Sequence, residues 1–437
     1  MSQVDSRLAN RILLGLLIGA LAGAAVLAVG SFVPGLLSAS REFSTAVLDP
    51  LGQVFLRLLF FVVIPLVFAS LAMGVVQLGK LGDLGPLAGK TFSLFALNMA
   101  IGVGLGLLMM NLLDPGGRLD VDTQARLVAE YGSAAQGYVQ AQGERPQMSL
   151  SLLVDMFMPR NLFGAFVGNN RNALGEVLPL ILFAILLGAA GTLLAAERRA
   201  KVQDALETIV ELMTHIVRFA LYIAPYAVPA MIFSVVVKVG FDIILALGLF
   251  VLGCLTVMLL HLFGTLSIWL KVATKRKPIE FFRQIAPVLV TAFSTSSSNA
   301  TLPASLTMAR DTLAVRPSIA GFVLPLGATM NMSGTALYEG CVVLFIAQVF
   351  GVDLSLSQQL TLLALAVMSA IAVAGIPGGS LPLIAGLLVT FGIPPEGIGI
   401  VLGADRILDM ARTVVNVGAD LVTCAVIEER APATFGR

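Results

Sequence analysis

Residues 11–34, RILLGLLIGALAGAAVLAVGSFVP, carry no charge after Arg11 and are long enough to cross a bilayer as one helix, which takes about 20 residues. Similar runs recur at 51–77, 88–112, 175–196, 207–237 and 242–271. In hydrocarbon every backbone N–H and C=O must be bonded within the chain, so each run is read as a helix, the longer ones tilted. From 276 to 428 the chain stays apolar but loses this rhythm.

Composition agrees with a polytopic α-helical membrane protein. Hydrophobic residues make up 57% and charged residues 12%, about half the charge of a soluble chain, and mean hydropathy is +0.94. A net charge of +1 gives no support for nucleic acid as a partner. Cys254, Cys341 and Cys424 lie in apolar runs and read as buried thiols. His215 and His261 are far apart, and no HExxH or CxxC spacing occurs, so no cofactor is expected. The basic flank and full-length first run read as a transmembrane helix rather than a cleaved signal. Arg7 and Arg11, Lys80 and Lys90, Arg198, Arg199 and Lys201, and Lys271, Lys275, Arg276 and Lys277 occupy alternate loops. All face the cytoplasm if the N-terminus is inside. The polar stretch 114–147 is then an external, flexible connector.

Polar clusters interrupt the irregular region. Ser294–Ser298 is a run of hydroxyl residues with Pro303 close behind, a poor helix centre flanked by halves too short to cross. It reads as the tip of a re-entrant hairpin buried in protein. AGIPGGSLP (374–382) gives a second such tip. Between them, NMSGT (331–335) reads as an unwound turn whose freed carbonyls suit a cation, with Gly327 and Gly334 permitting the irregular backbone and Asn331 adding an amide. Paired broken segments point to a secondary transporter with inverted repeats and a midplane site. A channel is the competing class and predicts uptake that neither saturates nor concentrates. An enzyme is not expected: Ser333 has no histidine partner legible in the sequence, and both histidines lie in earlier spans.

The last span, GADRILDMARTVVNVGADLVTCAVI (403–427), carries Asp405, Asp409, Arg412, Asn416 and Asp420 at spacings that keep them on one helix face, with Thr413 at its edge. Such residues in a membrane face a bundle interior and mark a pathway or site. Asp409 and Arg412 are near enough to pair when empty. Opposite charges also suit a zwitterion, Arg412 holding a carboxylate and Asp409 an ammonium. Asn416 and Asp420 form an oxygen-rich pair suited to a hard cation. The alternative is a salt-bridge ladder that holds the bundle.

These segments together resemble the dicarboxylate/amino acid:cation symporter family, which includes archaeal aspartate transporters and mammalian excitatory amino-acid transporters. The matching pieces are RLLFFVVIPLVFASLAMGV, YIAPYAVPAMIF, SSSNATLP, PLGATMNMSGTALYEG, AGIPGG and DxxxDMARTxxNVxxD, in family order over nearly the whole chain. The resemblance implies an all-α fold of eight transmembrane helices and two re-entrant hairpins, with inverted repeats, working as an elevator in a homotrimer; short loops and the lack of targeting features point to a bacterial inner membrane, and the basic loops to cytoplasmic termini. Scaffold helices one and two would occupy 1–87, with transport-domain helix three at 88–113 and the external loop at 114–149. Scaffold helices four and five would take 150–240, and transport-domain helix six 241–275. Hairpin one would lie at 276–313, the discontinuous seventh helix at 314–352, hairpin two at 353–394 and the eighth helix at 395–430, leaving a tail at 431–437.

The resemblance implies a symporter of glutamate or aspartate, with membrane lipid and further copies of the chain as partners. Asp409 would bind the α-amino group and Arg412 the side-chain carboxylate, with Thr413, Asn416 and Thr335 completing the pocket. Ser297, Ser298 and the backbone of the hairpin tips, Gly378 included, would hold the α-carboxylate. One sodium site would use Gly327, Asn331, Asn416 and Asp420, and a second, mainly carbonyls near Thr329, Met332 and 370–373. The deepest sodium site departs from the family pattern. Its aspartate is Ser333 here, and its third-helix partners are Phe95, Asn98 and Met99, so a sodium site of that design is expected to be lost. Glu339 stands where proton-coupled members carry a protonatable glutamate. Burial disfavours the charged form of a carboxyl, which suits a proton carrier, though a fixed hydrogen-bonded carboxyl is the other reading. The family's mobile arginine is absent, its positions being Ser296 and Met410. Arg406 is new by comparison. It pairs with Asp405, neutralises Glu339 or another carboxylate, or faces the domain boundary. The coupling ion expected is H+, with Asp420 and Glu339 as carriers, or Na+. A C4-dicarboxylate is the further substrate option.

Overall fold

The computed structural model describes residues 2–30, 32–33, 35–78, 85–120, 122–127, 158, 160–167, 177–240, 242–373 and 379–430. Among these every regular element is helical. Helix α1 spans Ser2–Gly30. Helix α2, Leu36–Phe43, runs through a π-turn at Ser44–Leu48 into α3, Asp49–Phe61, and α4 follows at Val63–Leu78. Then come α5, Gly85–Leu113; α6, Val177–Thr192; and α7, Ala196–Val239. Helix α8, Asp242–Leu259, passes through a π-segment at Leu260–Thr265 into α9, Leu266–Ala273. The irregular region resolves into α10, Pro278–Thr295; α11, Ser298–Thr307; α12, Pro317–Met330; α13, Ser333–Val349; α14, Leu356–Ala372; α15, Leu381–Thr390; and α16, Ile398–Arg430.

Local chemistry explains several boundaries. Pro278 and Pro317 start their helices, where a missing N–H is harmless. Ser355 and Gln358 form a reciprocal capping box at the start of α14. The expected single span 51–77 is instead two helices parted at Val62. Pro65 has no N–H to offer the Phe61 carbonyl, so the hydrogen-bond ladder is interrupted there. The expected span 207–237 belongs to a helix of 44 residues, and Arg198, Arg199 and Lys201, expected in a loop, stand on its first turns. Most of the connector 114–147, the tip residues 374–378 and the tail 431–437 lie outside the described residues.

Packing divides lipid-facing helices from a protected centre. Helices α1, α3, α4 and α6 gather with α7. Gly15, Gly19 and Gly23 form the face of α1 that meets α7, and a Cβ on Gly19 would lie 2.9 Å from the Cα of Pro229. Leu14, Leu17, Ile18 and Leu21 are exposed and form its outward side. Helices α12, α13 and α16 are the centre. In the most apolar stretch of 317–349, 94% of residues are buried, and in that of 395–430, 83%, against 39% for 89–113 and for 242–273. These four stretches are long and apolar enough to cross a membrane, and the protein is a multi-pass membrane protein. Helix α16 packs on α8, α10, α11, α12 and α13, and α5 packs along α13. Polar groups of α13 and α16 therefore face protein, where bonding partners are available.

Candidate functional site

The chain leaves helical geometry at Asn331 and Met332, between α12 and α13. This break would strand the first N–H groups of α13, and Met332 supplies no side-chain cap. Asn416 of α16 supplies it instead. Its Oδ1 accepts from Gly334 N at 2.7 Å and Thr335 N at 3.2 Å, and its Nδ2 donates to Thr335 Oγ1 at 3.1 Å. The close approach needs Gly334, since a Cβ there would fall 2.8 Å from Val415 Cβ and 3.0 Å from the carbonyl carbon of Arg412.

One helical turn before Asn416 lies the charged pair. Arg412 donates to Asp409 Oδ1 through Nε at 2.9 Å and Nη2 at 2.6 Å. Its Nη1 donates to Ser380 Oγ and lies 3.9 Å from Asp405 Oδ1. The guanidinium carbon sits 4.9 Å from the ring centroid of Tyr338, whose hydroxyl donates to Asp405 Oδ1 at 2.8 Å. Arg406 Nη1 reaches Asp409 Oδ2 at 3.6 Å, so of the carboxylates on this face Arg406 pairs with Asp409. Thr413 donates its hydroxyl to the Asp409 carbonyl. All of Asp405, Asp409, Arg412, Thr413, Asn416 and Asp420 are buried, as the spacing requires of a face turned inward.

One turn further on, Asp420 Oδ1 accepts from Asn331 Nδ2 at 2.9 Å, and Asn331 Oδ1 accepts from Asn98 Nδ2 at 3.4 Å. Gly327 lies directly against the carboxylate, because a Cβ there would fall 2.7 Å from Asp420 Cγ. No cationic side chain forms an ion pair with Asp420 among the described residues, and its one bonded side-chain partner is a neutral amide. A buried carboxylate compensated only so far fits a hard cation or a proton. Of the expected set, Gly327 and Asn331 meet Asp420, whereas the Asn416 side chain is taken up by the first turn of α13.

The remaining expected residues are distributed around this line. Ser297 caps α11 by accepting from Ala300 N at 3.2 Å, and both Ser297 and Ser298 are buried. Ser296 adopts a left-handed conformation at the turn between α10 and α11, its hydroxyl buried without a partner. Thr329 bonds back to the Leu326 carbonyl at 3.0 Å, and Met332 Sδ lies 3.5 Å from Asn416 Nδ2. Ala370 and Val373 are buried, and Met410 is partly so. Gly378 lies outside the described residues. Phe95, Asn98, Met99 and Ser333 are all buried, with Ser333 Oγ and Asn98 Oδ1 unpartnered. Both oxygens of Glu339 are buried without a fully formed hydrogen bond among the described residues, and the hydroxyl of Ser369 on α14 is the polar group beside it.

Three neighbours were not legible as such. Ser380 follows the second tip and meets Arg412. Tyr338, next to Glu339 in sequence, contacts Asp405 and Arg412 of the charged face. His261, expected outside the polar segments, is fully buried in the π-segment of α8 beside Gly102 of α5. A Cβ on Gly102 would fall 3.4 Å from His261 Nε2 and 3.3 Å from the Ser333 carbonyl oxygen, so the histidine borders the Ser333 region.

Comparison with known proteins bears on this arrangement. The model of the sodium:dicarboxylate symporter family matches residues 8–430. The proton/sodium-glutamate symport protein of Bacillus caldotenax is 32% identical over 413 residues, 94% of this chain and 91% of its own. The proton/glutamate-aspartate symporter of Escherichia coli K12 is 30% identical over 406 residues, 89% of this chain and 87% of its own. The C4-dicarboxylate transport protein of Bacillus subtilis is 28% identical over 381 residues, 87% of this chain and 86% of its own.

Proposed function

The chain belongs to the sodium:dicarboxylate symporter family, a secondary active, cation-coupled symporter and not an enzyme, and from that premise we propose that it carries glutamate or aspartate with protons. The observation that supports this reading is the pair Asp409–Arg412, opposite charges closed on each other in a buried site. A zwitterion with a second carboxylate can separate them. Arg412 turns from Asp409 to the side-chain carboxylate, a planar fork meeting a planar acceptor. Asp409 accepts from the ammonium. Thr413, Asn416 and Thr335 line the space between α13 and α16, and Ser297, Ser298 and Gly378 are assigned to the α-carboxylate.

We assign α10–α11 and α14–α15 to two re-entrant hairpins. The first packs on α16, and the second is tied to the candidate site through Ser380 and Arg412. Replacing that tie with substrate contacts is how substrate would register at the hairpin. The scaffold and transport domains, the elevator motion, the homotrimer and the inner-membrane orientation with cytoplasmic termini belong to the same reading.

For coupling, Glu339 is fully buried, with the Ser369 hydroxyl beside it and no ion-pair partner among the described residues, which supports a group that gains and loses a proton over a fixed charged carboxyl. Asp420 is the second candidate. Gly327, Asn331, Asn416 and Asp420 are the residues that would hold sodium if it is used, and a bound cation there would neutralise Asp420 and brace α12 against α16. Sodium coupling through this set is the alternative, because the residues fit it, whereas Ser333 removes the formal charge of the deepest site. Labelled aspartate uptake into proteoliposomes tests the choice, with pH and sodium gradients imposed separately under clamped potential. Accumulation driven by the pH gradient alone is expected. Accumulation that requires sodium would overturn proton coupling, and no accumulation of either acidic amino acid would overturn the substrate assignment.

A further inference from the structure

Asp405 and Arg406 are the charged side chains on this part of α16 that the binding scheme above does not use. Arg406 Nη1 lies 3.6 Å from Asp409 Oδ2, the oxygen opposite the one that Arg412 holds through Nε and Nη2. Its Nε is buried without a hydrogen-bond partner among the described residues. Asp409 therefore stands between two guanidinium groups, one a helical turn before it and one a helical turn after it.

When a carboxylate draws Arg412 away, the neutralisation of Asp409 depends on the substrate. An acidic amino acid brings an ammonium. A dicarboxylate without an amino group brings none, and a buried carboxylate stripped of its partner is strongly disfavoured. Arg406 removes the distinction. The face formed by Asp405, Arg406, Asp409 and Arg412 is neutral overall. With a dicarboxylate bound it carries the same net charge as a face lacking Arg406 would carry with an acidic amino acid bound.

We propose that Arg406 is a specificity-determining residue that neutralises Asp409 when Arg412 leaves, so that the site accepts C4-dicarboxylates with no α-amino group as well as acidic amino acids. This rests on Asp409 and Arg412 being the substrate-binding pair. Arg406 acts through Asp409 and need not touch the substrate.

The test is competition by unlabelled succinate against labelled aspartate in proteoliposomes, for the wild type, Arg406→Gln and Arg406→Lys. Succinate should compete with the wild type. In Arg406→Gln its inhibition constant should rise by about thirtyfold more than the aspartate KM, the lower end of the effect that loss of one buried charge partner produces. Arg406→Lys, which keeps the charge, should restore most of the ratio. Equal weakening of both substrates would show Arg406 to be structural only and would overturn the inference. Should Arg406→Gln not fold, the wild type decides: succinate and aspartate should each raise its unfolding midpoint, as any ligand of the native state does. Aspartate transport with no effect of succinate overturns this inference alone. Failure to transport either acid overturns the substrate-pair assignment beneath it.

Discussion

Neutralising Arg412 alone should be more damaging to the fold than neutralising Arg412 and Asp409 together. Arg412 is 2% exposed and Asp409 3%. Arg412→Gln removes the two bonds to Asp409 at 2.6 and 2.9 Å, the approach to Asp405 at 3.9 Å and the contact with the Tyr338 ring. Two carboxylates are then left on one buried face. Removing one partner of a buried pair costs about 3–5 kcal/mol. Arg406 remains 3.6 Å from Asp409 and Tyr338 still donates to Asp405, so the lower end, about 3 kcal/mol, is expected. Asp409→Asn should cost somewhat less, because Arg412 keeps Ser380 and Asp405.

In the double variant neither charge is stranded. The attraction of a buried pair roughly offsets its desolvation, so the double change should cost only about 1–2 kcal/mol. The two single costs should therefore fail to add by about 3 kcal/mol, the upper range for residues in contact. Unfolding midpoints of all four proteins in one detergent measure this, and uptake in liposomes is measured beside it. All three variants should fail to accumulate aspartate, including the double variant whose stability has returned. Additivity within about 0.5 kcal/mol would refute the view that these two charges compensate each other. Aspartate accumulation by the double variant would remove both residues from the binding site.

Three further outcomes are expected. Asn416→Ala leaves the N–H groups of Gly334 and Thr335 unbonded, and at about 1–3 kcal/mol for a buried donor it should lower the unfolding midpoint as well as abolish uptake; an unchanged midpoint would show that these groups find other partners. Glu339→Gln should abolish accumulation driven by a pH gradient while exchange of internal for external substrate persists, and retention of pH-driven accumulation would exclude Glu339 as the carrier. Gly327→Ala places a methyl group against the Asp420 carboxylate, an overpacking that costs about 1–3 kcal/mol and should weaken any sodium dependence; equal uptake at every sodium concentration before and after the change would show that sodium does not act through this set.

The charged face of α16 was legible because a single helix has a fixed period, so spacing alone puts Asp405, Asp409, Arg412, Asn416 and Asp420 together. Hydroxyl and glycine runs likewise mark the turn at Ser296 and the break at Asn331, since such residues suit non-helical backbone. What could not be read is which residue meets which across helices. Asn416 caps a helix that begins 83 positions earlier, at Ser333. The π-segment that holds His261 has no proline near it to announce it. Val62 was missed for a different reason. Pro65 is visible in the sequence, but an apolar run long enough to span hides the interruption it makes.

The cap formed by Asn416 bears on how binding and coupling are joined. Asn416 lies four residues after Arg412 and four before Asp420 on one rigid helix, and its amide holds the first turn of α13. The same first turn begins at the break that carries Asn331, which bonds Asp420. A displacement of α13 caused by substrate at Thr335 therefore reaches Asn331 through two residues of non-helical backbone, and Asp420 through one hydrogen bond. Neutralising Asp420, by proton or by cation, acts on the same bond from the other side. On the proposed assignment of Thr335 to substrate and Asp420 to the coupling ion, binding and coupling would share a short mechanical path, and linkage would require each to strengthen the other equally. This predicts that Thr335→Val, which removes the hydroxyl bonded to Asn416 at 3.1 Å, weakens aspartate affinity and the dependence on the coupling ion together. Loss of affinity with unchanged ion dependence would place the coupling path elsewhere.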